Sequence, residues 1–439
     1  MTTVLSFLFV LGVLIFVHEL GHFWMARRNG VRVLTFSLGF GPKILNIKRG
    51  DTEYCISIIP LGGYVKMAGE SAEDPRSGAP DEFLSKTKWQ RFQILIMGPV
   101  MNIALAFVVT TVVLLQGVEA PIYEGQPPVV GAVEAGSAAE KVGITRGDRI
   151  LTVAGEAVPT WEAFNMAIGI RPDRDVALTL DRSGQAVSVT VRPSPVSKYE
   201  IGMIGVLPDV NPVIRSVTPG DPADKAGFKV GDQVMAVDGQ RIVLSSDLVK
   251  ATSKSAGKTL DVTLKRGGAE QHVQVTPVKR GDRGMIGIAT SEPTRSFQPG
   301  PFEAVKLSAQ RTVEGSGMIF KTMGQLFSGQ ASPRQLMGPV AIAQLSGESA
   351  QAGWVALLAL MSMISLNLGV LNLMPIPVLD GGHILILLLE GVARRDFSLQ
   401  VKEKLLMAGF VVLMALMVTV IYNDLTRIAW IERLMPWRN

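Results

Sequence analysis

His18-Glu19-Leu20-Gly21-His22 sits inside an apolar run that begins at Val4 and continues through Phe23-Trp24-Met25-Ala26 until Arg27-Arg28 stops it. Residues four apart share one face of an α-helix, so both imidazoles can reach a single zinc ion. The glutamate between them is then close enough to act as a base on water held there. In a soluble domain, two ordinary core histidines would give the same five letters. At membrane depth a lone charge costs about 2.5–3.5 kcal/mol, so a glutamate with two histidines in an apolar span marks function. His18 and His22 are therefore candidate metal ligands, and Glu19 is the candidate catalytic base.

The chain has 439 residues, enough for two to four domains. Hydrophobic residues make up 47% and charged residues 18%, where a soluble protein carries about 25% charged. That balance points to a membrane protein with a substantial water-exposed portion. The net charge of +5 is scattered along the chain, which gives no case for nucleic-acid binding. The lone Cys55 excludes an intramolecular disulfide and any zinc site built from several cysteines. The opening apolar stretch lacks a basic leader and holds the His/Glu constellation, so it reads as a membrane span and not as a cleaved signal.

Four segments read as transmembrane helices, at about 3–26, 92–116, 354–374 and 405–422. Eleven lysines and arginines between residues 27 and 91, with Arg394, Arg395, Lys402 and Lys404, place both of those connections in the cytoplasm. Both termini and residues 117–353 then lie on the outer side. The histidines fall in the cytoplasmic half of the first span.

Between 30 and 67, Val31–Phe36, Glu53–Ile59 and Gly63–Met67 read as strands, broken by Gly39-Phe40-Gly41-Pro42 and Arg49-Gly50-Asp51. So apolar a sheet is expected to dip into the bilayer. It serves either as an edge that holds substrate in extended form or as a structural hairpin. Residues 70–81, rich in Ser, Asp, Pro and Gly, are expected to be mobile.

An internal repeat follows. Val133, Gly136, Ala139, Gly143, Gly147-Asp148 and Val153 recur at a constant spacing as Val217, Gly220, Ala223, Gly227, Gly231-Asp232 and Val237. Each copy reads strand, short helix, Gly-Asp turn, strand, longer helix and paired strands, a pattern that resembles PDZ domains over about 125–195 and 207–280. Such grooves take peptides as an added strand; a rigid spacer or size filter is the other reading. Residues 301–328 are too charged to span a bilayer and read as an amphipathic surface helix, or as a helix packed against the outer domains.

A catalytic zinc takes three protein ligands. Asn372-Leu373-Met374-Pro375-Ile376-Pro377-Val378-Leu379-Asp380-Gly381-Gly382-His383 breaks the third span, and Asp380 is its only carboxylate. Asp380 falls at the depth of the two histidines, and its other reading is a helix N-cap. His383 is a weaker competitor for the third ligand.

An H-E-x-x-H in the first membrane helix paired with N-x-x-P-x-P-x-x-D-G in a later one resembles the site-2 protease family of intramembrane metalloproteases, in particular its bacterial branch with tandem PDZ domains. Gly98-Pro99-Val100-Met101-Asn102 resembles that family's G-x-x-x-N element, and Gly338-Pro339-Val340 its G-P-[VI] element. The resemblance implies Zn2+ bound by His18, His22 and Asp380, with Glu19 as general base and Asn372 hydrogen-bonded to the substrate backbone. It further implies a bacterial inner-membrane enzyme whose substrate is a pre-trimmed single-pass membrane protein of the anti-sigma-factor type, cut in regulated intramembrane proteolysis. The expected fold class is a multi-pass α-helical membrane protein with four transmembrane helices, a membrane-associated β-hairpin or sheet, and two inserted PDZ-like α+β domains. The expected domains are 1–116, 117–200 and 201–292 (the PDZ-like pair), 293–353 and 354–439. Two rivals differ in class: a non-catalytic PDZ scaffold with a structural zinc, and a metal transporter using the same ligands. A closed structural site needs four ligands and no base, and here there are three beside a glutamate.

Overall fold

The computed structural model describes residues 2–70, 78–196, 200–281, 283–329 and 336–426, so most of the stretch expected to be mobile, 71–77, lies outside the described residues. The chain divides into two units, one formed by 1–118 with 298–439 and the other by 119–297.

In the first unit, four helices are long and apolar enough to cross a membrane: α1 (Thr2–Arg28), α2 (Lys88–Gln116), Trp354–Asn372 and the helix Leu399–Thr426. At about 1.5 Å per residue, even the 19-residue helix 354–372 approaches the roughly 30 Å of a hydrocarbon core. α2 starts at a capping box in which Thr87 and Gln90 satisfy each other's backbone N–H. It is then zipped to helix 354–372 by hydroxyls and small residues. Ser365 Oγ donates to the Asn102 carbonyl at 2.7 Å and Ser362 Oγ to the Ala106 carbonyl at 2.9 Å. A side chain at Gly369 would press on the Pro99 carbonyl at 2.9 Å. Where apolar surface alone cannot drive helices together, such close approach and hydroxyl bonding do.

Helix Pro301–Phe327 packs along α2 and helix 354–372, with Ala304 and Ser308 fully buried and Ser308 Oγ donating to the Phe107 carbonyl at 2.7 Å. Lys306, Arg311, Glu314 and Lys321 stay on its exposed face. Helix Pro339–Ala352 packs on α1, and its first N–H groups at Gly338, Val340 and Ala341 donate to Asp424 at 3.0–3.1 Å.

Two strands, β1 (Val33–Arg49) and β2 (Thr52–Met67), form the sheet near α1. Each carries two segments, because Thr35 faces both Glu53 and Lys66, and Phe36 faces both Tyr54 and Val65. Residues 33–38 are therefore flanked by 53–56 on one side and 63–67 on the other, while 45–49 pair with 52–56. Val33, Phe36, Val65 and Met67 anchor the near end in a core with Met25, Ala26 and Ile94. The far end exposes Ile44, Leu45, Ile47 and Ile58.

In the second unit the repeat is visible as structure. Helix Trp161–Gly169 recurs as Ser245–Ser253 and strand Val176–Arg182 as Leu260–Arg266, each 84 residues later (245 − 161 and 260 − 176). Each copy closes its own core, one around Ile150, Trp161, Leu178 and Leu180, the other around Ile214, Val234, Val262 and Leu264. Each Gly-Asp turn is pinned alike. Arg182 donates from Nε and its terminal nitrogen to Asp148 at 2.8 and 2.7 Å, and Arg266 does the same to Asp232 at 2.6 Å.

Candidate active site

The four-residue spacing on α1 brings His18 and His22 to one face, edge to face with ring centroids 4.9 Å apart and their Nε2 atoms 3.2 Å apart. Asp380, the first residue of helix Asp380–Val392, completes the cluster. Its Oδ2 lies 3.2 Å from His18 Nε2 and its Oδ1 3.5 Å from His22 Nε2. Leu379 occupies the N-cap position, and Asp380 makes no capping bond. The helix-cap reading of Asp380 therefore gives way to one in which the carboxylate faces the imidazoles.

The chain reaches this geometry through several tight places. Gly381 and Gly382 lack side chains where a Cβ would overlap the carbonyl oxygens of Met374 and Ile376, so the helix can fold back on the broken segment. Val378 is held at φ 84°, a conformation costly for a β-branched residue and common beside functional groups. On α2, Gly98 leaves room for both rings, and the Ile94 carbonyl accepts from His22 Nδ1 at 2.8 Å.

That last bond fixes a tautomer. With its proton on Nδ1, His22 presents an Nε2 lone pair toward His18 and Asp380. One ligand atom from each of the three residues lies within 4.8 Å of the others, and no lysine or arginine among the described residues pairs with Asp380. Converging lone pairs and a carboxylate repel one another unless a cation joins them, and two histidines with one carboxylate form a standard donor set for catalytic zinc. The residues present fit the metal.

Glu19 lines the same cavity of about 640 Å³, together with His18, His22, Asp380 and the strand residues Gly63, Tyr64, Val65 and Met67. Gly63 passes so close that a Cβ would lie 2.9 Å from Glu19 Cγ and 2.8 Å from the Ser37 carbonyl. Asn372 closes helix 354–372 and is not among the cavity's lining residues; its amide makes no hydrogen bond among the described residues. The structure thus gathers His18, Glu19, His22 and Asp380, and leaves Asn372 outside the cavity wall. Beyond the residues whose types single them out, Ile94, Gly63 and Val378 also shape the site. A main-chain oxygen leaves no trace in residue type, whereas the Gly62-Gly63 pair did.

Residues 6–416 match peptidase family M50. The chain belongs to peptidase family M50, the site-2 protease family. This M50 peptidase is 34% identical over 451 residues to the regulator of sigma-E protease RseP of Escherichia coli K12, covering 96% of this chain and 98% of that one. It is 34% identical over 456 residues to a Neisseria meningitidis serogroup A protein classed as a zinc metalloprotease, covering 98% of this chain and 100% of the other. The regulator of sigma E protease of Haemophilus influenzae is 32% identical over 443 residues, with 96% and 98% covered. Membership makes this M50 chain a zinc-dependent metalloprotease, and its four apolar helices make it a membrane protein.

Proposed function

We propose that this chain hydrolyses a peptide bond within or at the edge of the membrane, in the transmembrane segment of a single-pass protein already trimmed on its outer side. The observation that carries this reading is the convergence of His18, His22 and Asp380 beside Glu19, in a cavity walled by strand residues 63–67. A zinc ion held by those three residues supplies Lewis acidity toward water and the scissile carbonyl. Glu19 takes the proton of the attacking water and passes it to the leaving amine. Asn372 has an amide free to donate but does not line the cavity, so its part in this reading is to hold the substrate backbone beside that carbonyl once substrate reaches the end of helix 354–372.

A helical substrate hides its carbonyls in intrahelical bonds and must unwind before attack. Residues 63–67 pair with 33–38 along one edge, and among the described residues no strand pairs along the other. An unwound substrate adds there as a further strand, next to Glu19. The family resemblance implies an inner membrane, and lysine and arginine placement supports a site toward its cytoplasmic side with the two PDZ-like repeats outside. There they admit only shortened substrates, or hold peptide ends. The relatives named regulators of sigma-E protease support a part in sigma-E regulation, and an anti-sigma factor in envelope stress signalling is the substrate that the family resemblance implies.

Glu19→Gln tests the assignment in reconstituted membranes with a single-pass substrate. The variant is expected to keep its zinc and lose cleavage by roughly 100-fold or more. Undiminished cleavage by Glu19→Gln would sink the mechanism.

A further inference from the structure

His22 has its outer nitrogen satisfied by the Ile94 carbonyl, and His18 must be held some other way. Within hydrogen-bond reach of His18 Nδ1, the one group among the described residues is the side-chain amide of Asn102, with Nδ2 at 3.2 Å. Asn102 is fully buried, its Oδ1 has no hydrogen-bond partner, and its main-chain carbonyl is clamped by Ser365 Oγ at 2.7 Å. It lies one turn beyond Gly98, the residue that makes room for both rings.

A neutral histidine that binds a metal through Nε2 carries its proton on Nδ1. The His18 Nε2 atom faces Asp380 and His22, so ligation there makes Nδ1 a donor that needs an acceptor. An amide nitrogen cannot accept. The amide oxygen can, and a half-turn of the side chain exchanges two atoms of nearly equal size. In either orientation the amide finds one partner at the ring, so the tautomer of His18 decides which atom faces it.

We propose that Asn102 is the positioning residue for His18, its Oδ1 accepting the Nδ1 proton and so holding the Nε2 lone pair toward Asp380 and His22. The inference rests on the reading of His18 as a zinc ligand. α2 then orients both histidines of α1, one through a main-chain oxygen and one through a side chain.

The test uses the full chain purified in detergent, with zinc affinity measured by chelator competition and the His18 tautomer by nitrogen-15 NMR of the zinc-loaded protein. Asn102→Asp offers acceptors only, and Asn102→Leu offers no polar atom at similar volume. Asn102→Asp is expected to keep zinc affinity and the Nδ1-protonated ring. Asn102→Leu is expected to lose roughly 10–100-fold in affinity. Equal affinities for both variants and the parent chain would overturn the proposal. An equal loss in both folded variants would also overturn it, since packing alone would then account for Asn102. If Asn102→Leu does not fold, Asn102→Asp decides alone, because a ring protonated on Nε2 or a lost affinity in that variant removes the acceptor role. A His18→Ala variant that binds zinc as tightly as the parent would instead remove the zinc reading itself.

Discussion

Gly98 stands where the His22 ring leaves no space for a side chain: a Cβ there would overlap Nε2 and lie 2.6 Å from Cε1, and it would come within 2.9 Å of His18 Cε1. α2 can therefore press its backbone against both imidazoles and offer them the Ile94 carbonyl and the Asn102 amide. Gly98→Ala is expected to push the rings out of line, where a displacement of about 1 Å costs on the order of 100-fold in rate. Elemental analysis should show reduced zinc while circular dichroism shows the helices intact. Parental zinc content and parental cleavage in Gly98→Ala would mean that the rings have slack the geometry does not show.

Gly63→Ala should separate substrate handling from metal binding. The added methyl meets Ile15 Cγ2 and the Ser37 carbonyl at 2.8 Å and Glu19 Cγ at 2.9 Å, so strand 63–67 must shift or the Glu19 side chain must give way. No atom of His18, His22 or Asp380 is among those nearest atoms. Zinc content should stay at the parental level while cleavage falls by roughly 10–100-fold. A matching loss of zinc would show that the strand supports the metal cluster as well as the substrate.

Zinc binding should register in stability. A ligand present at 100 times its dissociation constant stabilises the fold by about 2.7 kcal/mol. Melting of the chelator-treated chain is expected to shift upward when zinc is returned, and the shift should be absent in Asp380→Ala. Should Asp380→Ala show the full zinc-dependent shift, Asp380 leaves the ligand set.

The second unit should lose stability in acid. Two hydrogen bonds from Arg182, at 2.8 and 2.7 Å, hold the Asp148 carboxyl below the ordinary value of 3.8 against the opposing effect of burial. A carboxyl whose pKa is depressed on folding adds stability that is present above the unfolded value near 4 and fades as pH falls through the lower folded value. Asp232 is lowered too: burial opposes ionisation, and Arg266 with the Lys229 N–H outweighs it. Hydrogen-exchange protection across residues 119–297, taken relative to the intrinsic rate at each pH, should fall below about pH 4. Arg182→Ala should raise the exchange of the first repeat at neutral pH and cost about 2 kcal/mol, since it strips a buried carboxylate of its partner. Equal protection at pH 3 and pH 6 would contradict the role given to these pairs.

Much of this protein is local, and what is local can be read along the chain. A period of four puts His18 and His22 on one face whatever lies around them, and the apolar run from Val4 to Ala26, interrupted by little besides His18, Glu19 and His22, can be little other than a span. Two prolines followed by Asp-Gly-Gly mark the break that frees Asp380, and a constant offset exposes the repeat. Other features were set only when helices locked together. Asp380 reaches residues more than 350 positions earlier because Ser362, Ser365 and Gly369 bind its preceding helix to α2, and α2 to the histidines. Arg182 and Arg266 share the repeat's offset, yet their pairing with the Gly-Asp turns appears only when the strands close. The packing of helix 301–327 along α2, the double register of β1 and the Ile94 carbonyl behind His22 belong to the same class. Residue type and periodicity record how a segment meets its own neighbours and how deeply it is buried, while the identity of the atom opposite depends on how separate ridges interlock, and no single segment encodes that.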